Sequence, residues 1–201
     1  MRISMTAVGV TAVLALAASA AQAQQTSPTN QMQKQPSQTQ SQAQPDKDSQ
    51  KFIKAAIEGN LAEIDVGKLA QEKGQSPAVK QFADMLVKDH SEANVKAQEV
   101  AGQLKVEPPT GSSIMQKATY TKLKLLSGAT FDSSFANTMV SDHESDIKEY
   151  QKEAQKSDAA GKYAKAALPT LQKHLQEAQK LQKELETKTS GNPKPSTSGA
   201  K

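Results

Sequence analysis

Val79, Ala83, Leu86, His90, Ala93, Ala97, Val100 and Leu104 follow one another at alternating steps of four and three. Residues at that spacing share a face only on an α-helix, so this one run fixes a long amphipathic helix with a narrow apolar seam. The stepping recurs in Ala136, Met139, His143, Ile147 (or Asp146), Tyr150 and Ala154. It recurs again in Leu168, Leu171, His174 (or Leu175), Ala178, Leu181 and Leu185. A fourth segment has a polar arc of Lys54, Glu58, Asp65 and Glu72. Opposite it lies a stripe of Phe52, Ala56, Gly59, Glu63, Val66 and Ala70. Aromatics are only 3% of the chain and Trp is absent, a composition that disfavours sheets and suits helices packed through Ala, Leu and Val. Four long amphipathic helices predict an all-α fold, an antiparallel four-helix bundle.

Punctuation residues set the expected boundaries. The first helix runs from about Asp48 to Lys73 and stops at Gly74. Ser76 as cap and Pro77 at the first helical position open the second, which runs to about Leu104. Residues 105–111 (KVEPPTG) break the chain. Ser112 or Ser113 then caps a short crossover helix to about Leu126, ended by Gly128. The third long helix spans about Thr130 to Lys156. The last spans Asp158 to about Thr187, with Pro169 expected to kink it or split it in two.

Both ends differ from this middle. Residues 1–23 combine Arg2, an apolar run from Ala7 to about Ala18, and Ala21-Gln22-Ala23. That is the pattern of a secretory signal peptide of bacterial type, expected to be cut after Ala23. The predicted location is therefore the periplasm or the exterior. Residues 24–49 are Gln-rich and nearly devoid of apolar side chains, which predicts a disordered tether. Residues 188–201 are rich in Gly, Pro and Ser and read as a disordered tail. The folded domain is expected at 50–187. After cleavage no segment is apolar for long enough to span a bilayer.

Several function classes drop out. The chain has no Cys, which removes disulfides, thiolate nucleophiles, thiolate zinc and Fe–S ligation. A net charge of +4, with Lys interleaved among acids, is a solvated surface and not a nucleic-acid stripe. No Gly-x-Ser-x-Gly, phosphate loop or His-Glu-x-x-His occurs, so an acid–base enzyme built on a His-Asp pair is the least favoured reading.

The chain has 3 His, and each stands within an apolar seam on its own helix: His90, His143 and, nearer the seam edge, His174. Glu63 is the ionisable member of the first helix's apolar stripe, whereas Glu58 lies on the wet face. If the helices pack side by side, these four residues meet in one layer. A buried carboxylate without partners is costly or takes up a proton. One transition-metal ion (Zn, Fe, Cu or Ni) bound by Glu63, His90, His143 and His174 satisfies all four. A metal-free polar layer that fixes helix register is the alternative. Asp89 and Asp142 directly precede His90 and His143. Since neighbours on a helix point about 100° apart, each either accepts a ring N–H from a histidine on another helix or stands at the seam edge paired with Lys. Asp146 is a further inward acid. Residues 82–90 and 135–143 also form an internal repeat. Phe, Ala, Val, Asp and His recur in register, as a pseudo-symmetric bundle site requires.

The segments 52–70 (FIKAAIEGNLAEIDVGKLA), 76–83 (SPAVKQFA), 85–94 (MLVKDHSEAN), 127–132 (SGATFD), 139–143 and 168–175 (LPTLQKHL) carry a resemblance. Over about residues 50–182 the chain resembles the large bacterial family of secreted ferritin-like domains of unknown function, often labelled outer-membrane proteins. The resemblance implies a ferritin-like antiparallel bundle with a long crossover and assigns no activity. Di-iron bundles carry Glu-x-x-His motifs. Here Val87, Val140 and Leu171 occupy the position three before each His. An imidazole-rich set of this kind suits one ion better than an iron pair. The expectation is a non-enzymatic periplasmic metal-binding bundle with an envelope or stress role. The alternative is a structural bundle that docks an envelope partner.

Overall fold

The computed structural model describes residues 46–190. The expected signal peptide and most of the expected tether and tail lie outside them. Five helices follow in order: α1 (Lys47–Lys73), α2 (Pro77–Gln103), α3 (Ile114–Leu125), α4 (Gly128–Glu153) and α5 (Ala159–Ser190). Residues 47–49 and 188–190, assigned above to the tether and tail, are therefore helical.

Local chemistry explains the ends. Asp46 caps α1 by accepting from the Asp48 N–H. Ser76 caps α2 ahead of Pro77. Ser113 and Gln116 form a reciprocal capping box at α3, which satisfies two otherwise orphan N–H donors. Asp158 Oδ1 accepts from the Gly161 N–H at 2.8 Å and opens α5. Gly128 does not end α3, as its position suggested; it is the first residue of α4, with φ +65°, a conformation that costs little only for glycine. α4 stops at Glu153, short of Lys156. The Lys156 Nζ turns back to Glu153 Oε2 (3.0 Å) and Asp46 Oδ2 (2.8 Å). Pro169 neither ends nor divides α5. Pro169 and Lys165, whose carbonyl loses its helical donor, both lie on the exposed face, where water can take the donor's place.

α1 and α2 form one antiparallel hairpin, α4 and α5 the other. α1 also packs on α4, and α2 on α5, with α3 laid across α1 and α4. This is an all-α four-helix bundle with a short helix in its crossover, as the seams predict. α2 and α4 sit on one diagonal and run the same way. The internal repeat therefore relates helices across the bundle axis and does not reflect a duplicated hairpin.

The interior holds two apolar clusters. One gathers Val66, Leu69, Phe82, Leu86, Phe131, Phe135, Met139 and Leu181. The other gathers Ile53, Ile57, Ala97, Val100, Ile147, Tyr150, Tyr163 and Leu171. On each long helix one ionisable residue stands between its contributions to the two: Glu63, His90, His143 and His174. All four are buried, with 4%, 4%, 0% and 0% of their surface exposed. The polar layer cuts the core in two.

Candidate metal centre

The four seam residues meet. Ring centroids lie 5.8 Å apart for His90–His143, 5.1 Å for His90–His174 and 5.3 Å for His143–His174. One nitrogen from each ring falls in a group whose members are all within 4.8 Å of one another. Glu63 Oε2 is in ion-pair contact with His90 Nε2 and 3.6 Å from His143 Nε2. Because Pro169 leaves α5 continuous, His174 stays in the layer.

What each imidazole does on its far side decides what it offers to the centre. His143 Nδ1 lies 2.9 Å from the Met139 carbonyl oxygen. A carbonyl only accepts, so Nδ1 carries the proton and Nε2 keeps its lone pair. His174 Nε2 donates to Asp89 Oδ2 at 3.0 Å, which leaves Nδ1 as the free acceptor. His90 Nδ1 lies 3.0 Å from Asn60 Oδ1. The Asn60 amide is oriented by its own Nδ2, which donates to the Tyr163 hydroxyl at 3.1 Å. His90 Nδ1 is thus the donor and Nε2 faces inward. With all three rings neutral, three inner lone pairs lie close together, and the Glu63 carboxylate reaches those of His90 and His143. His143 Nε2 and His174 Nδ1 stand 3.3 Å apart, each an acceptor with no proton between them.

The titration of these groups follows from their surroundings. Burial pushes the Glu63 carboxyl up, but the three imidazoles outweigh it and hold it down at about 2. Burial lowers His90, yet the Glu63 carboxylate more than reverses this and leaves it raised. Burial dominates at His174 and depresses it to about 4, against the pull of Asp89.

The three aspartates separate into two kinds. Asp89 orients His174 across the α2–α5 contact, the role its position predicts. Asp142 and Asp146 do not; among the described residues neither hydrogen-bonds an imidazole. They turn instead towards a cleft of ≈ 220 Å³ that Glu63 also lines. Burial first, and then the Glu63 charge, raise Asp142 to about 6; Asp146, which also feels Asp142, rises to about 7.

The sequence reading missed Asn60 and Tyr163. Asn60 is buried, with 3% exposed. The step from Ile53 to Ile57 to Asn60 marks it as a second inward polar residue on α1. Assigning α1 only one narrow stripe hid it.

The chain matches, over residues 33–181, the family described as domain of unknown function DUF4142. It belongs to that family. No curated protein matches it. A crystal structure of a DUF305 fragment from Deinococcus radiodurans has a similar fold. Its TM-score is 0.63 at 12% identity, covering 70% of this chain and 98% of that one. At that identity the likeness concerns the bundle and not its chemistry. The DUF4142 domain here thus has a buried His/Glu cluster. Among its described residues, no helix is long and apolar enough to cross a membrane.

Proposed function

We propose that this DUF4142 protein binds one divalent transition-metal ion through His90 Nε2, His143 Nε2, His174 Nδ1 and Glu63. The observation that carries the reading is the direction of the imidazoles. Asn60, the Met139 carbonyl and Asp89 take the outer N–H of each ring, so every inner nitrogen is an acceptor. Acceptors facing one another in a dry interior repel unless a positive charge lies among them. Two zinc–nitrogen bonds of ~2.05 Å at a tetrahedral angle hold their nitrogens about 3.3 Å apart, the separation seen between His143 and His174. Outer hydrogen-bond acceptors of this kind fix the tautomer and raise ligand basicity. Three imidazoles and one carboxylate suit Zn, Fe, Cu or Ni. With all four positions supplied by protein, the centre fits storage, sensing or structural use better than turnover. The signal-peptide pattern expected at 1–23 supports a role in the periplasm or outside the cell.

The test is metal analysis of untagged protein after reconstitution. About one ion per chain is expected, and less than about 0.1 equivalent of every transition metal sinks the proposal.

One observation favours a metal-free layer. With His90 protonated, its contact with Glu63 is a complete ion pair, and the layer then serves helix register for an envelope-docking bundle. In that case a chelator leaves the melting temperature unchanged.

A further inference from the structure

The proposed centre is buried, so an ion needs a way in. Three clefts reach the layer. One of ≈ 140 Å³ touches His90 and is lined by Lys96 as well as Asp89 and Glu92. One of ≈ 460 Å³ touches His90 and mixes Lys51, Lys152 and Lys156 with Asp48, Glu58, Asp146, Glu149 and Glu153. The third, of ≈ 220 Å³, lies between α1 and α4 beneath α3, and its charged lining is Glu63, Asp142 and Asp146 alone. Among the described residues neither aspartate has a cationic partner, although Lys is plentiful elsewhere on the surface. Glu63, with 4% exposed, lines this cleft; its Oε2 meets His90, and its buried Oε1 has no hydrogen-bond partner.

Resting on the metal-binding reading, we propose that this cleft is the cation's entry route, with Asp142 and Asp146 as carboxylates that draw the ion in and pass it to Glu63. A cleft lined by one sign of charge between low-dielectric walls focuses its field and concentrates counter-ions. The other two clefts mix lysines among their acids, so their fields partly cancel, and Glu63 lines neither of them. Glu63 joins the route to the centre, because one carboxylate faces both the cleft and the imidazoles. Asp142 and Asp146 are positioning residues for the ion's approach, not members of the final ligand set.

Stopped-flow uptake of Co²⁺ by the metal-free full chain, read by visible absorbance, tests this. Asp142→Asn/Asp146→Asn should slow association about ten-fold or more at low salt and flatten its salt dependence. Ser145→Trp, an exposed rim position on the same cleft, should slow association and release alike and leave Kd unchanged. Glu92→Gln, in the Lys96 cleft, should change neither rate. Unchanged association in both the double Asn and the Trp variants overturns the route while binding itself stands. Absence of Co²⁺ uptake by the unmodified chain overturns the binding proposal and the route together. If the double variant fails to fold, Ser145→Trp alone decides.

Discussion

At the centre, individual side chains divide into those that face the convergence point and those that aim them. Asn60 and Asp89 aim. Asn60→Ala should leave His90 free to rotate or change tautomer, and Asp89→Asn should do the same to His174. Each is expected to weaken metal affinity by about 10–100-fold, measured by competition with a chromophoric chelator, with the helical circular dichroism retained. Glu58→Ala, outside the layer, should leave affinity unchanged. Protonation gives a second handle on metal-free protein. Asp146 titrates near 7 in the folded chain against an ordinary 3.8. The folded state therefore holds a proton that the unfolded state has lost between those values, and stability falls as pH rises through that window. Asp146→Asn removes this contribution, so its stability relative to the parent should increase from pH 4 to pH 7. His174 acts oppositely. Its depressed value of about 4 contributes stability that is present above the unfolded value of ~6.5 and lost as pH falls towards 4. Urea midpoints at several pH values with chelator present separate the two, and a flat difference curve for Asp146→Asn refutes the assignment. The seam pattern made the four residues of the buried layer legible, because a polar residue at an apolar heptad position announces itself. Asn60 and Tyr163 were not legible, since their role depends on which helix stands opposite, and spacing within one helix does not carry that.

Among the elements, α2 shows how a helix end is completed by a distant one. Asp132 of α4, with 2% exposed, accepts from the Gln75 and Ser76 N–H groups at 3.0 and 2.9 Å. Ser76 and Pro77 announce this helix start in the sequence, but the cross-bundle carboxylate does not show, because nothing local distinguishes Asp132 from a surface acid. Asp132→Ala leaves two N–H groups without a partner and should cost about 1–3 kcal/mol in chemical denaturation, with metal stoichiometry unchanged. A loss below about 0.5 kcal/mol would show that water replaces it. The α1–α2 contact has its own signature at Gly67, where an added Cβ would come 2.8 Å from Val87 Cγ2. The two helices approach too closely there for any larger residue without a shift. Of the kink or split expected of α5 at Pro169, the split does not occur, for a comparable reason. Propensity registers the missing N–H, whereas tertiary packing and an exposed carbonyl decide whether the helix survives it.

For the molecule as a whole, the bundle was legible because four long periodic segments, joined by two short connections and one crossover, leave few other ways to cover their apolar faces. The distribution of the core was not, because the seams read as continuous until the polar layer is seen to separate Leu86 from Ala97 on α2 and Met139 from Ile147 on α4. Filling the centre should stabilise the fold by mass action, by ~2.7 kcal/mol with free ion at one hundred times Kd. The melting temperature should rise with added metal and return on chelation. His90→Ala should abolish that rise. The divided core has a consequence beyond stability. Each apolar half is small, and a polar layer instead of continuous apolar packing joins them. In metal-free protein the amides around Phe131 and Phe135 should exchange with deuterium at a different rate from those around Ile57 and Ala101, as two separately opening units. A bound ion, held by all four long helices at once, would make them exchange as one, so that its arrival is reported along the full length of the bundle.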